Sequence, residues 1–126
     1  AGAMRLALAH LAERGHRRVL FLARYPRLAV TAARIAALKA HRGIAAEVLA
    51  VGTDRALFDR ELPRLLRARA RPTALIASNS ILALWALRVL RQEAMTVPGD
   101  VALLAFDAAD WTDLTDPPLT VLRQPV

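Results

Sequence analysis

Three side chains stand where an α/β protein would use them to hold a small ligand: Arg34, Asn79 and Asp107. Asn79 follows the short apolar run ALIAS (74–78), and Asp107 follows VALLAF (101–106). Both runs read as strands, and in an open parallel α/β sheet ligands bind in the crevice beyond the carboxyl ends of the strands. Arg34 lies near the start of a helical stretch between two earlier strands. A forked guanidinium, an amide that both donates and accepts, and a carboxylate suit polyhydroxylated or heteroaromatic small molecules. Each residue also has a plain structural reading: a helix N-cap for Asn79, a turn or cap residue for Asp107, a solvated helix position for Arg34.

Chemistry beyond binding finds little support. His10 and His41 fall on helical stretches, and His16 enters the first strand at the end of the sheet opposite Asn79. None can serve a serine at a strand's carboxyl end, and the G-x-S-x-G elbow is absent. No glycine-rich phosphate loop follows any strand. Cysteine is absent, which removes disulfides, thiolate catalysis and cysteine-held zinc. No histidine or carboxylate pair has ligand spacing on one element, and Asp110 is better placed to cap the segment holding Trp111. No catalytic residue, metal or cofactor is expected.

The elements that would position the three residues follow from periodicity. Met4 to Arg14 repeats apolar residues at helical spacing and stops at Gly15. VLFLA (19–23) is apolar throughout, as a strand covered on both faces must be. Leu28 to Arg42 reads as a helix and AEVLAV (46–51) as a strand. A third helix starts after Thr53 or Asp54, and Pro63 inside it predicts a kink or a break near Asp59 to Leu62. Ser80 to Ala94 is a fourth helix capped by Ser78 or Asn79; LTVLRQP can add a last strand. The alternation predicts an α/β fold: a parallel sheet of about four to five strands with helices on both faces.

At 126 residues the chain forms one domain (1–126), long enough to bury a core. Its net charge of +7 invites a nucleic-acid reading, but the arginines are scattered over several elements without interleaved aromatics. No apolar run reaches the roughly 18 to 20 residues of a membrane span. The start AGAMRLALAHL reads as the interior of a helix and the end RQPV is abrupt, so a fragment of a larger protein is expected.

Four blocks carry a resemblance: HLAERGHRRVLFLA, TAARIAALKAHRGI, RPTALIASNSILALWALRVLRQEAMTVPGDVALLAFD and DPPLTVLRQP. In this order they resemble the LacI/GalR family of bacterial transcriptional regulators, in the C-terminal lobe of its effector-binding region. That lobe has a periplasmic-binding-protein-like fold of type I. The resemblance implies that Arg34, Asn79 and Asp107 face an effector cleft between two lobes. It also implies a homodimer interface formed by the helix carrying Leu84 and Leu87 and by the segment around Trp111 and Leu114. Leu84, Trp85 and Leu87 to Leu90 indeed give that helix more apolar surface than one core contact requires; core packing of Trp85 is the alternative.

The expected ligand is a sugar or related effector, and the expected location the cytoplasm. Operator DNA would be reached only through an N-terminal head outside this segment, with the other lobe also outside it. A lobe of a periplasmic sugar-binding protein serving a transporter, or a small α/β enzyme, are the alternatives. Ser80, Trp85, Ala37 and Ala108 depart from the family pattern, so effector choice is expected to differ there.

Overall fold

Strands covered on both faces need helices on both faces, and the chain supplies them alternately. The computed structural model describes residues 2–106 and 120–122. Its elements are α1 (Gly2–Glu13), β1 (Arg18–Ala23), α2 (Ala29–Ala40), β2 (Ala45–Ala50) and α3 (Arg55–Arg67), then β3 (Ala74–Ala77), α4 (Ser80–Gln92), β4 (Ala102–Phe106) and β5 (Thr120–Leu122). The five strands form one sheet in the order β2-β1-β3-β4-β5, every pair parallel. The expected class and strand count both hold.

Side chains alternate across a strand with period two, and this splits the core into two layers. Leu20, Leu22, Leu75, Ala77, Leu103 and Ala105 pack with Phe58, Leu62 and Leu66 of α3 and with Leu82, Ala86 and Leu90 of α4. The intervening residues Val19, Phe21, Ile76, Leu104 and Phe106 face the other way, against Met4, Leu8 and Leu11 of α1 and Leu38 of α2. Among the described residues β2 is an edge strand with neighbour β1 only, and its partial burial leaves room for Glu47.

Pro63 does not break α3, which runs unbroken from Arg55 to Arg67. The carbonyl deprived of its partner belongs to Asp59, an exposed residue that water can reach. The fully buried stripe of Phe58, Leu62 and Leu66 holds the helix against the sheet across that gap. α3 is further tied to α4: Phe58 and Trp85 meet edge to face, ring centroids 5.5 Å apart. Arg88 reaches Asp59 at 2.6 Å, and Arg67 grips both oxygens of Glu93 at 2.6 Å. Such surface pairs contribute about 0–1 kcal/mol each, so the aromatic contact and the stripe dominate.

Helix ends obey local chemistry. Gly15 adopts φ +84°, and the His16 N–H reaches back to the Leu11 carbonyl at 3.0 Å, closing α1. Asp54, not Thr53, caps α3 by accepting from the Leu57 N–H at 2.9 Å. α4 stops at Gln92, two residues short of the expected Ala94, because Ala94 itself takes the left-handed conformation at φ +56°.

Candidate functional site

The order β2-β1-β3-β4-β5 sends the connection after β1 to one side of the sheet and the connection after β3 to the other. Between the carboxyl ends of β1 and β3 the two loops therefore diverge, and a crevice opens there. Arg24 leaves β1 at this point, while Ser78 and Asn79 leave β3. Pairing extends to the crevice floor, where the Ser78 N–H donates to the Leu22 carbonyl at 2.9 Å.

Arg34 is not the solvated helix residue that spacing allows; it is 6% exposed. Its Nη1 donates to the Ser78 carbonyl at 3.2 Å, and its guanidinium carbon sits 3.8 Å from the centre of the Phe106 ring. A buried cation needs such matching. Phe106 is available because its parity along β4 turns it toward the α2 face. One side chain thereby ties the end of β3 to the end of β4. Asp107 follows Phe106 directly in the chain and lies outside the described residues.

Asn79 does cap α4: its Oδ1 accepts from the Leu82 N–H at 2.9 Å. That consumes one end of the amide. Among the described residues its nitrogen has no hydrogen-bond partner, so two N–H groups remain for a ligand. The structural and the functional reading of Asn79 are therefore compatible.

Arg24 is a crevice residue that motif reading passed over. Its Nε is buried and, among the described residues, lacks a hydrogen-bond partner. Position was the available signal, since it is the first residue after β1. Beside it the apolar side chains of Tyr25, Leu28 and Val30 are exposed, forming a hydrophobic rim. Gly52, at φ +57°, lies against Tyr25, where an added Cβ would approach the ring at 3.5 Å.

The helix expected to meet a partner presents Ile81 and Leu84 to solvent, 47% and 52% exposed. Trp85 and Leu87 are half-buried and packed against the α3/α4 core layer. Trp111 and Leu114 lie outside the described residues.

Several groups away from the crevice titrate outside their ordinary ranges. Burial, with the Arg14 and His10 charges adding to it, pushes the His16 imidazole below its ordinary range. Hydrogen bonds from Thr96 hold the Asp100 carboxyl down, and one from Arg64 does the same for Glu61. Among the described residues no group of three or more histidines and carboxylates could hold a metal, and no helix is long and apolar enough to cross a membrane. The crevice can thus offer cationic and amide donors to an oxygen-rich ligand.

Residues 8–126 match the family model of the periplasmic binding protein-like domain. The chain is 35% identical over 136 residues to an HTH-type transcriptional regulator in the aml 5′ region of Streptomyces limosus, covering 98% of this chain and 37% of that protein. It is 33% identical to the HTH-type transcriptional regulator MalR of Streptomyces coelicolor, with 98% and 38% covered. A solved regulatory protein of the LacI family from Chloroflexus aggregans superimposes with a TM-score of 0.85 at 29% identity, over 98% of this chain and 47% of that one. The chain thus spans less than half the length of these relatives. Its sheet order, its strand-end crevice and these likenesses agree, and the chain belongs to the periplasmic binding protein-like domain family of LacI/GalR-type regulators.

Proposed function

We propose that this chain is one lobe of the effector-sensing region of a cytoplasmic bacterial transcriptional regulator of the LacI type. Arg34, Asn79 and Asp107 form its wall of the effector cleft, with Arg24 beside them. The ligand is a small, polyhydroxylated, sugar-like molecule. Such a ligand offers many oxygens to the donors at this crevice and needs no metal or nucleophile. The observation that carries the reading is the convergence of Arg34 and Asn79 on the switch point between β1 and β3. Exposed Tyr25, Leu28 and Val30 beside it suit contact with a second lobe.

Effector held between the lobes favours one lobe orientation, and a homodimer conveys it to DNA-binding heads on the operator. Leu84 of α4 leads the dimer contact, with Ile81 beside it and Trp111 and Leu114 contributing from the later segment. Trp85 and Leu87 support that face from behind. Nothing is catalysed, and no cofactor is required.

The test uses the complete protein. Its operator binding is measured while sugars and related polyols are titrated in, for wild type and for Asp107→Asn. At least one compound changes operator affinity in the wild type, and the variant needs more of it. Turnover of such a compound, abolished by Asp107→Asn, would establish an enzyme instead.

A further inference from the structure

The end of the sheet opposite the crevice is where the strands begin, and it carries an unbalanced charge. Three neighbouring connections meet there, leading into β2, β1 and β3. They and the first residue of β1 hold Arg14, Arg17, Arg18, Arg42, Arg69 and Arg71, and no acidic residue; the next connection, into β4, adds Glu93, which is paired with Arg67, and Asp100, whose carboxylate feels the Arg71 charge. Among the described residues, none of the six has a carboxylate oxygen within 4.0 Å. The ion pairs of α3 and α4 use other arginines. The carboxyl ends of α1, α2 and α3 point the same way, each worth about half a negative charge. Six guanidinium groups exceed what those three helix ends, Glu47 and Asp100 can together balance.

A cavity of about 230 Å³ opens at this end of the sheet, with Arg18 in its lining. Its walls are mostly apolar, including Leu20, Leu65, Ala68 and Pro72, with Arg18 and Glu47 as its charged members. Arg69 and Arg71 flank lining residues in the chain: Arg69 lies between Ala68 and Ala70, Arg71 between Ala70 and Pro72. Among the described residues β2 is an edge strand, so the mouth is not closed by a further strand on that side.

We infer that this strand-start end docks an acidic segment of a partner protein, with an aliphatic side chain anchored in the cavity and its carboxylates on the surrounding arginines. Charge complementarity selects an acidic partner, and guanidinium forks match carboxylates in geometry. The apolar lining selects a segment that also presents a leucine-like anchor. Nucleic acid fits less well. No aromatic side chain lies in the three connections for a base to stack on, and no helix N-terminus there offers amide donors to a phosphate.

The probe is a fluorescent peptide, Asp-Glu-Asp-Leu-Glu-Asp-Glu, titrated into the 126-residue chain and followed by polarisation. Controls are the same peptide with serine for leucine, a lysine-for-acid peptide, and a short duplex DNA of arbitrary sequence. Binding is expected for the first peptide alone, weakening as salt is added. The double change Arg69→Glu and Arg71→Glu is expected to weaken it by about tenfold or more. Ala70→Trp, which obstructs the cavity while leaving every arginine, is expected to weaken it by about tenfold, as is serine for leucine. These positions border solvent, and circular dichroism confirms that each variant keeps the fold. Equal binding of the serine peptide, unchanged binding by Ala70→Trp, or no binding of the leucine peptide overturns the proposal. Tighter binding of the duplex than of the leucine peptide assigns the surface to nucleic acid and overturns it equally.

Discussion

Substituting Asn79 separates what the residue does for the fold from what it does for the ligand. Its Oδ1 accepts from the Leu82 N–H at 2.9 Å, one of the amides that the first turn of α4 cannot satisfy internally. Asn79→Ala removes that acceptor and is expected to cost about 1 kcal/mol. For a domain of this size that lowers Tm by about 3–5 °C. Asn79→Ser restores a capping oxygen of comparable quality, so stability should return to within about 0.5 kcal/mol of wild type.

The shorter hydroxyl, however, cannot reach where the amide nitrogen reaches. If the ligand is held by that nitrogen, Asn79→Ser still loses one neutral hydrogen bond, about 1–1.5 kcal/mol, or about tenfold in effector affinity. Urea unfolding measures the first quantity. Effector titration of the complete protein measures the second. The reasoning fails in one half if Asn79→Ser unfolds as readily as Asn79→Ala, and in the other if Asn79→Ser responds to effector like wild type.

Four further outcomes can be checked. Ala94→Gly should stabilise the chain by about 1 kcal/mol, read as a higher urea midpoint, because glycine adopts φ +56° without steric conflict. Pro63→Ala should also stabilise it, by about 1–3 kcal/mol, by returning a donor to the Asp59 carbonyl inside α3; a lower midpoint would show that proline rigidity matters more than the lost bond. His16 is held below its ordinary value of 6.5 by burial and by the Arg14 and His10 charges. The unfolded chain therefore takes up its proton first, so stability is full above pH 6.5 and falls as pH drops from there toward the lowered folded value. His16→Gln should flatten that slope between pH 7.5 and 5.5. Finally, Leu84→Asp should leave the unfolding midpoint of the monomer unchanged, since the side chain is 52% exposed, yet shift sedimentation of the complete protein from dimer to monomer.

Local pattern carried the elements a long way. VLFLA read as a doubly covered strand because all five residues are apolar, and β1 is buried over that span. ALIAS and VALLAF likewise marked β3 and β4, and short connections implied parallel pairing. What escaped depended on distant partners. Whether Arg34 is solvated or buried is decided by Phe106, 72 positions away and turned toward α2 by strand parity. Pro63 predicted a break because its own turn is the worse for it, whereas Phe58 and Leu66 pack on strands that the local window does not contain. The early end of α4 at Ala94 was invisible, since alanine carries no signal for a left-handed backbone. Arg24 lacked any motif and became visible only when strand order located the crevice beside it.

The Arg34 contacts have a consequence for how binding energy is spent. A guanidinium already seated between the Ser78 carbonyl and the Phe106 ring is ordered before any ligand arrives. That seat joins the backbone end of β3 to the end of β4. A wall joined in this way would have little conformational entropy to lose to the proposed effector. Under the proposed function, a ligand that meets such a preset surface would signal by altering how it is oriented toward the second lobe rather than by reshaping it. Loosening the seat, as Phe106→Leu would do by removing the ring, should weaken binding through a larger entropic penalty while leaving every ligand-facing group in the chain.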